Sequence, residues 1–181
     1  MKYILYILCF SFLIACQEND MAKINALINE QEVGIEKADS IILSYKENEA
    51  LKVEVFGKTI HRYIKNQNKL EFPEGIEVKF YEQGVLSAIL TSDSAVFDDS
   101  KGIIIVSGNV DMYNNRHENL ITDEMEWNIN AKTIYAKNKI IIKTVHDVIY
   151  GIGMTAKEDF SQYSIKKVTG VVAYNKDDNF R

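Results

Sequence analysis

Scarcity bounds this chain before anything else does. It holds one proline, Pro73, and two cysteines, Cys9 and Cys16, in 181 residues. Cys9 lies inside an apolar leader, so a structural disulfide has no second partner once that leader is removed. The three histidines, His61, His117 and His146, stand singly, without the spacing that metal sites use. No block of Lys and Arg occurs, and the formal net charge is −5, which excludes a phosphate-neutralising nucleic-acid surface. A Gly-rich loop ending in Lys-Ser/Thr is missing, as is a Gly-x-Ser-x-Gly elbow. Asp98-Asp99 beside a Ser-Lys-Gly turn, and Asp177-Asp178 in the tail, read as surface charge rather than an acid–base pair. The expectation is a protein that is not an enzyme and needs no cofactor.

The chain also lacks an apolar run long enough to span a bilayer, which takes roughly 20 residues. Tyr3 to Ile14, "YILYILCFSFLI", is shorter, follows Met1-Lys2, and leads into Ala15. That is the layout of a secretory signal peptide. Leu13-Ile-Ala-Cys16 resembles the lipobox of bacterial lipoproteins, which implies cleavage before Cys16 and acylation of its thiol. An ordinary secreted protein or an uncleaved anchor are the alternatives. One acyl chain binds a membrane marginally and two anchor it stably. Residues 1–15 are thus expected to be a leader, and 16–35 an acylated cysteine with a polar tether. Extended at ~3.3 Å per residue, "QENDMAKINALINEQEVG" reaches at most about 60 Å. Gln17 leaves open which membrane holds the anchor.

From Asp39 onward the sequence is written in period two, with turn residues every dozen or so positions, which points to an all-β sandwich or barrel. "SIILSY" (Ser40–Tyr45), a "KENEA" turn and "LKVEVFG" (Leu51–Gly57) read as a hairpin. "GIEVKFYE" follows, then a Gln83-Gly84 turn and "VLSAILTSDSAVFD". "GIIIVSGNVDMY", "NLITDEMEWNI", "TIYAKNKIIIKT", "DVIYGIGMTAK" and "YSIKKVTGVVAY" complete the set. The clusters "GIIIV" and "KIIIK" suggest strands buried on both faces. Gly84, Gly102 and Gly108 are expected at turns or bulges.

A weak repeat lies beneath. Leu90–Phe97, "LTSDSAVF", aligns with Leu120–Trp127, "LITDEMEW", at an offset of 30; the same offset pairs Gly108 with Asn138 and Val110 with Ile140. A third, more decayed copy runs from Met154 through Phe160 to Val172. A hairpin cannot bury its own apolar face, so the copies must stack into sheets. The expected fold is a β-jelly-roll or β-taco of two stacked antiparallel sheets, open at both ends, over residues 36–174, with 175–181 a polar tail.

"FPEGIEVKFYEQGVLSAILTSDSAVFD" (Phe72–Asp98), "VSGNVDMYN" and "LITDEMEWN", in that order and spacing, resemble the LptC family of the lipopolysaccharide-export bridge. The resemblance runs from about Glu36 to Val172. It implies a membrane-anchored, periplasmic, non-enzymatic component. Its partners would be lipopolysaccharide, an inner-membrane ABC transporter that supplies it, and a soluble LptA-like bridge protein that receives it. The better-known members carry a transmembrane helix where this chain has the lipobox-like cysteine. A scaffold lipoprotein whose closed sandwich binds proteins but not lipid is the alternative.

Candidates for lining a lipid groove are Ile76, Val78, Phe80, Leu90, Val106, Val110, Ile121, Met125, Trp127, Ile140 and Ile152. For any one of them, Trp127 included, ordinary core packing is the commoner role, and a one-residue slip of register would reverse its face. Ile41, Leu43 and Tyr45 at the start, and Ile165, Val168 and Val171 at the end, are candidates for partner-binding edges by strand addition.

Overall fold

A computed structural model describes residues 34–63 and 69–173. The leader, Cys16, the tether up to residue 33 and the tail lie outside the described residues. Within them the chain is all strand and turn, without a helix. The strands are β1 (Ile35–Glu47), β2 (Ala50–Tyr63), β3 (Lys69–Phe72), β4 (Ile76–Glu82), β5 (Val85–Ser92), β6 (Ser94–Asp98), β7 (Ile103–Asn114), β8 (Asn119–Asn128), β9 (Thr133–Lys143), β10 (Asp147–Lys157) and β11 (Tyr163–Ala173). Every pairing is antiparallel.

The long strands each serve two sheets. β7 pairs with β6 through Ile103–Ser107 and with β5 through Asp111–Asn114. β2 pairs with β4 through Val53–Gly57 and with β3 through His61–Tyr63. One half of the fold therefore contains β4 and β5, the other β3 and β6, and β7 to β11 cross both. The halves face each other: Phe80 of β4 and Trp127 of β8 meet edge to face at 5.0 Å. This is the two-sheeted β-jelly-roll, or taco, with β1 at one edge and β11 at the other.

A line of irregularities makes the crease. Gly108 and Asn109 have φ of 78° and 43°, Gly153 has 75°, and Ser40 has 55°. Register slips fall beside them, between Ser107 and Val110, Thr122 and Glu126, and Ile152 and Met154. Asp93 breaks the run "VLSAILTSDSAVFD" into β5 and β6; its amide donates to the Gly108 carbonyl at 2.9 Å, and Asn109 Nδ2 donates to its carboxylate at 2.7 Å. The repeat marks this crease: Asp93 and Asp123 are both on it, as are Gly108 and Asn138. β-Bulges bend a strand and raise its twist, which lets one sheet fold over itself.

Turns elsewhere follow local chemistry. Asn48-Glu49 and Gln83-Gly84 both have positive φ at two central residues, the turn type whose twist suits two-residue hairpins. The first hairpin is longer than "SIILSY" suggests, because the crease at Ser40 lets β1 continue back to Ile35. β3 and the second half of β2 were not visible as strands in the sequence. "GIIIV" and "KIIIK" are buried on one face only: Ile105 and Ile141 point outward, where no second layer covers them.

Gly108 and Gly84 share a φ of 78°, but a Cβ at Gly108 would lie 2.7 Å from the Asp93 carboxylate, whereas none of the fold lies within 4 Å of one at Gly84. Gly108→Ala is expected to destabilise by about 1–3 kcal/mol more than Gly84→Ala in urea unfolding. Equal losses would remove Asp93 from the crease.

Candidate functional site

Alternation along each strand sends one set of side chains between the halves. Towards β11 this interior is filled: Val106, Met125, Ile134, Ala136, Met154 and Phe160 are fully buried in one contiguous core. Towards β1 it is open. A cavity of about 1020 Å³ there is walled by Val53 and Val55 (β2), Phe72 (β3), Phe80 (β4), Phe97 (β6) and Trp127 (β8). Leu43 and Tyr45 of β1 overhang its mouth. A second hollow of about 760 Å³, lined by Ile41, Ile60 and Arg62, shares Leu43, Leu70 and Phe97 with the first, so the two form one trough under β1.

The rim is polar. Lys52, Lys132, Lys157, Glu82, Glu158 and Asp159 surround the mouth. Lys132, in the β8–β9 turn, reaches Glu47 at the end of β1 at 3.5 Å, and Lys52 approaches the same carboxylate at 4.0 Å. Trp127 Nε1 donates to Glu158 Oε2 at 3.2 Å, which satisfies the buried indole. Half-burial raises the Glu158 pKa above the usual carboxylate range, against the opposing pull of the Trp127 hydrogen bond and Lys132. A trough of this kind can hold apolar chains while a polar head stays among charges and water. Among the described residues no group of His, Cys, Asp or Glu is placed to hold a metal ion.

The groove candidates divide three ways. Phe80 and Trp127 line the cavity. Ile76, Val78, Leu90, Val106, Val110, Met125 and Ile140 are inward but packed in the core, away from the open space. Ile121 and Ile152 are corrected: both face outward, Ile152 at 40% exposure. Buried positions in β8 are Leu120 and Thr122 before the crease but Met125 and Trp127 after it, so no single alternation describes the strand. In β10 the inward positions near the crease are Gly151 and Met154, on either side of the left-handed Gly153. The walls Val53, Val55, Leu70, Phe72, Phe97 and Ile104 were not singled out from sequence. The sequence carries little signal for them: "KLEF" of β3 is four residues long and "AVF" of β6 is apolar throughout.

Both sets of edge candidates lie on edge strands. Among the described residues β1 pairs only with β2, and β11 only with β10. Leu43 and Tyr45 pair with Val55 and Val53, and Ile165 with the buried Met154, so these residues continue the inner face. Several stay uncovered: Tyr45 is 54% exposed, Val168 52% and Val171 59%. The apolar interior thus runs out onto both edges.

The family model described as lipopolysaccharide-assembly, LptC-related, matches residues 3–173. The chain belongs to the LptC-related family. Among solved structures, LptH of Pseudomonas aeruginosa, the LptA-homologous periplasmic component of its lipopolysaccharide transport device, is similar over 81% of this chain and 98% of that one. The identity is 9% and the TM-score 0.42. Comparison with curated protein sequences gives no match. The match to the family begins at residue 3, ahead of the described strands.

A raised carboxylate pKa in this LptC-related fold has a definite sign. The folded state holds the Glu158 proton more tightly than the unfolded chain, so the group favours folding least once pH exceeds the folded pKa. Stability is lost as pH rises from the ordinary carboxylate value through that raised value. Glu158→Gln should remove this slope, so wild type and variant are expected to diverge from acid towards neutral pH in thermal melts. Parallel melting profiles would show that Glu158 is not desolvated.

Proposed function

We propose that this chain is a membrane-anchored, non-enzymatic component of the lipopolysaccharide transport bridge. It accepts lipopolysaccharide from an inner-membrane ABC transporter through its β1 edge and passes it to a soluble periplasmic bridge protein through β11. Cys16 is the anchor, acylated after removal of residues 1–15, and the tether holds the strand domain away from the lipid. The observation that carries this reading is an apolar trough with a charged rim, inside a member of a lipopolysaccharide-assembly family. Burial is worth about 0.8 kcal/mol per methylene, so acyl chains move along such a lining far more readily than through water. The uncovered inner residues of β1 and β11 support strand addition, in which a partner's sheet extends both the backbone ladder and the apolar lining. Movement along the trough is driven by the partner transporter.

A photo-crosslinker at Phe72 or Phe97 should capture lipopolysaccharide in cells, and one at Ile121 or Ile152 should not. Capture only from the outer positions would overturn the trough as the lipid path. At the other end, Val171→Asp changes an exposed side chain, so stability should move by no more than about 0.5 kcal/mol. Co-purification of the soluble bridge protein should nevertheless fall severalfold. Undiminished co-purification would remove β11 as the exit edge.

One observation favours a scaffold with a closed sandwich, namely the dry, fully packed half next to β11. Under that reading purified lipopolysaccharide leaves Trp127 emission unchanged while protein partners still bind.

A further inference from the structure

The packed half is closed by contacts of an unusual kind. The β7–β8 turn ends strands of one half, and the β10–β11 turn ends strands of the other. Phe160 in the second turn is fully buried and stacks on Tyr163 at 5.0 Å. Its carbonyl accepts from Asn114 Nδ2 at 3.1 Å and from Arg116 Nη2 at 3.0 Å, both in or beside the first turn. Arg116 also donates to the Ser161 carbonyl, and Glu118 holds both the guanidinium and the Asn114 amide. These bonds cross the lip of the taco opposite its crease. Phe160 sits at φ 55°, a left-handed conformation that a bulky residue adopts only under strain. Two residues earlier, Glu158 of the same turn lines the open cavity and is bonded to Trp127.

We propose that the β10–β11 turn is a strap that closes the lip beside β11 and is released when the cavity is occupied. A ligand that displaces Glu158 from Trp127 acts on a short, strained turn whose other arm is the Phe160 carbonyl held by Asn114 and Arg116. Release of those bonds lets Phe160 leave the interior and lengthens the trough towards β11. The proposal rests on the reading of the cavity as a lipid site. It adds the device that separates the open half from the closed one. Strained residues collect at clamps and switches because the surrounding contacts must over-determine them.

Two readouts on the full chain separate this from the functional reading. Trp127 is the only tryptophan, so its emission reports on cavity occupancy. Amide exchange at residues 158–162 reports on the strap. Purified lipopolysaccharide is expected to shift the emission and to speed exchange of that turn. A shifted emission with unchanged or slower exchange overturns the strap and leaves the lipid site standing. No shift and no retained lipopolysaccharide overturns the lipid site, and the ligand-driven release with it. Arg116→Ala removes an exposed side chain, so the fold is retained, and should speed exchange of the turn about tenfold or more without ligand. Arg116→Lys keeps the charge but not the fork of donors, and should fall between the two. Wild-type exchange in Arg116→Ala overturns the clasp itself.

Discussion

The crease is the constraint on which this structure depends. Strands of 10 to 14 residues are too long to bury one face against a single small partner sheet, and here they are bent so that each packs against itself and its neighbours. The bend uses residues that tolerate left-handed backbone, Gly108, Asn109 and Gly153, and Asp93, whose amide donates to the Gly108 carbonyl while its carboxylate accepts from the Asn109 side chain. Without it the sheet would open flat and expose an apolar face to water. With it, one sheet becomes two facing layers without a second domain.

Folding a sheet on itself leaves two edges and a lip, and these do not behave alike. At the β11 side the lip is pinned by Asn114, Arg116 and the Phe160 carbonyl, and the interior behind it is packed. At the β1 side the lip carries the exposed pair Lys132 and Glu47, worth no more than about 1 kcal/mol. Large aromatic walls, Phe72, Phe80, Phe97 and Trp127, meet there without filling the space. The asymmetry follows from side-chain size and from how well each lip is hydrogen-bonded.

Much of the fold was legible because period two survives in the sequence wherever one face is buried. The turn at Gln83-Gly84, the edge strands and the repeat all follow from that pattern. Ile121 and Ile152 show where it fails: a bulge adds a residue, and every side chain beyond it changes face. β3 was missed because four residues, "KLEF", are too few to show a period, and only pairing with β2 and β6 makes them a strand.

The sequence by itself determined the class of fold, the positions of most turns, and which residues are apolar enough to seek an interior. These are local matters, set by alternation and by backbone preferences of a few adjacent residues. Whether an inward residue meets another side chain or empty space was decided only by the tertiary structure. Val110 and Met125 are as apolar as Phe72 and Phe97, yet the first pair is packed and the second borders the cavity. That difference depends on the distance between two halves of a bent sheet, a quantity no single strand carries.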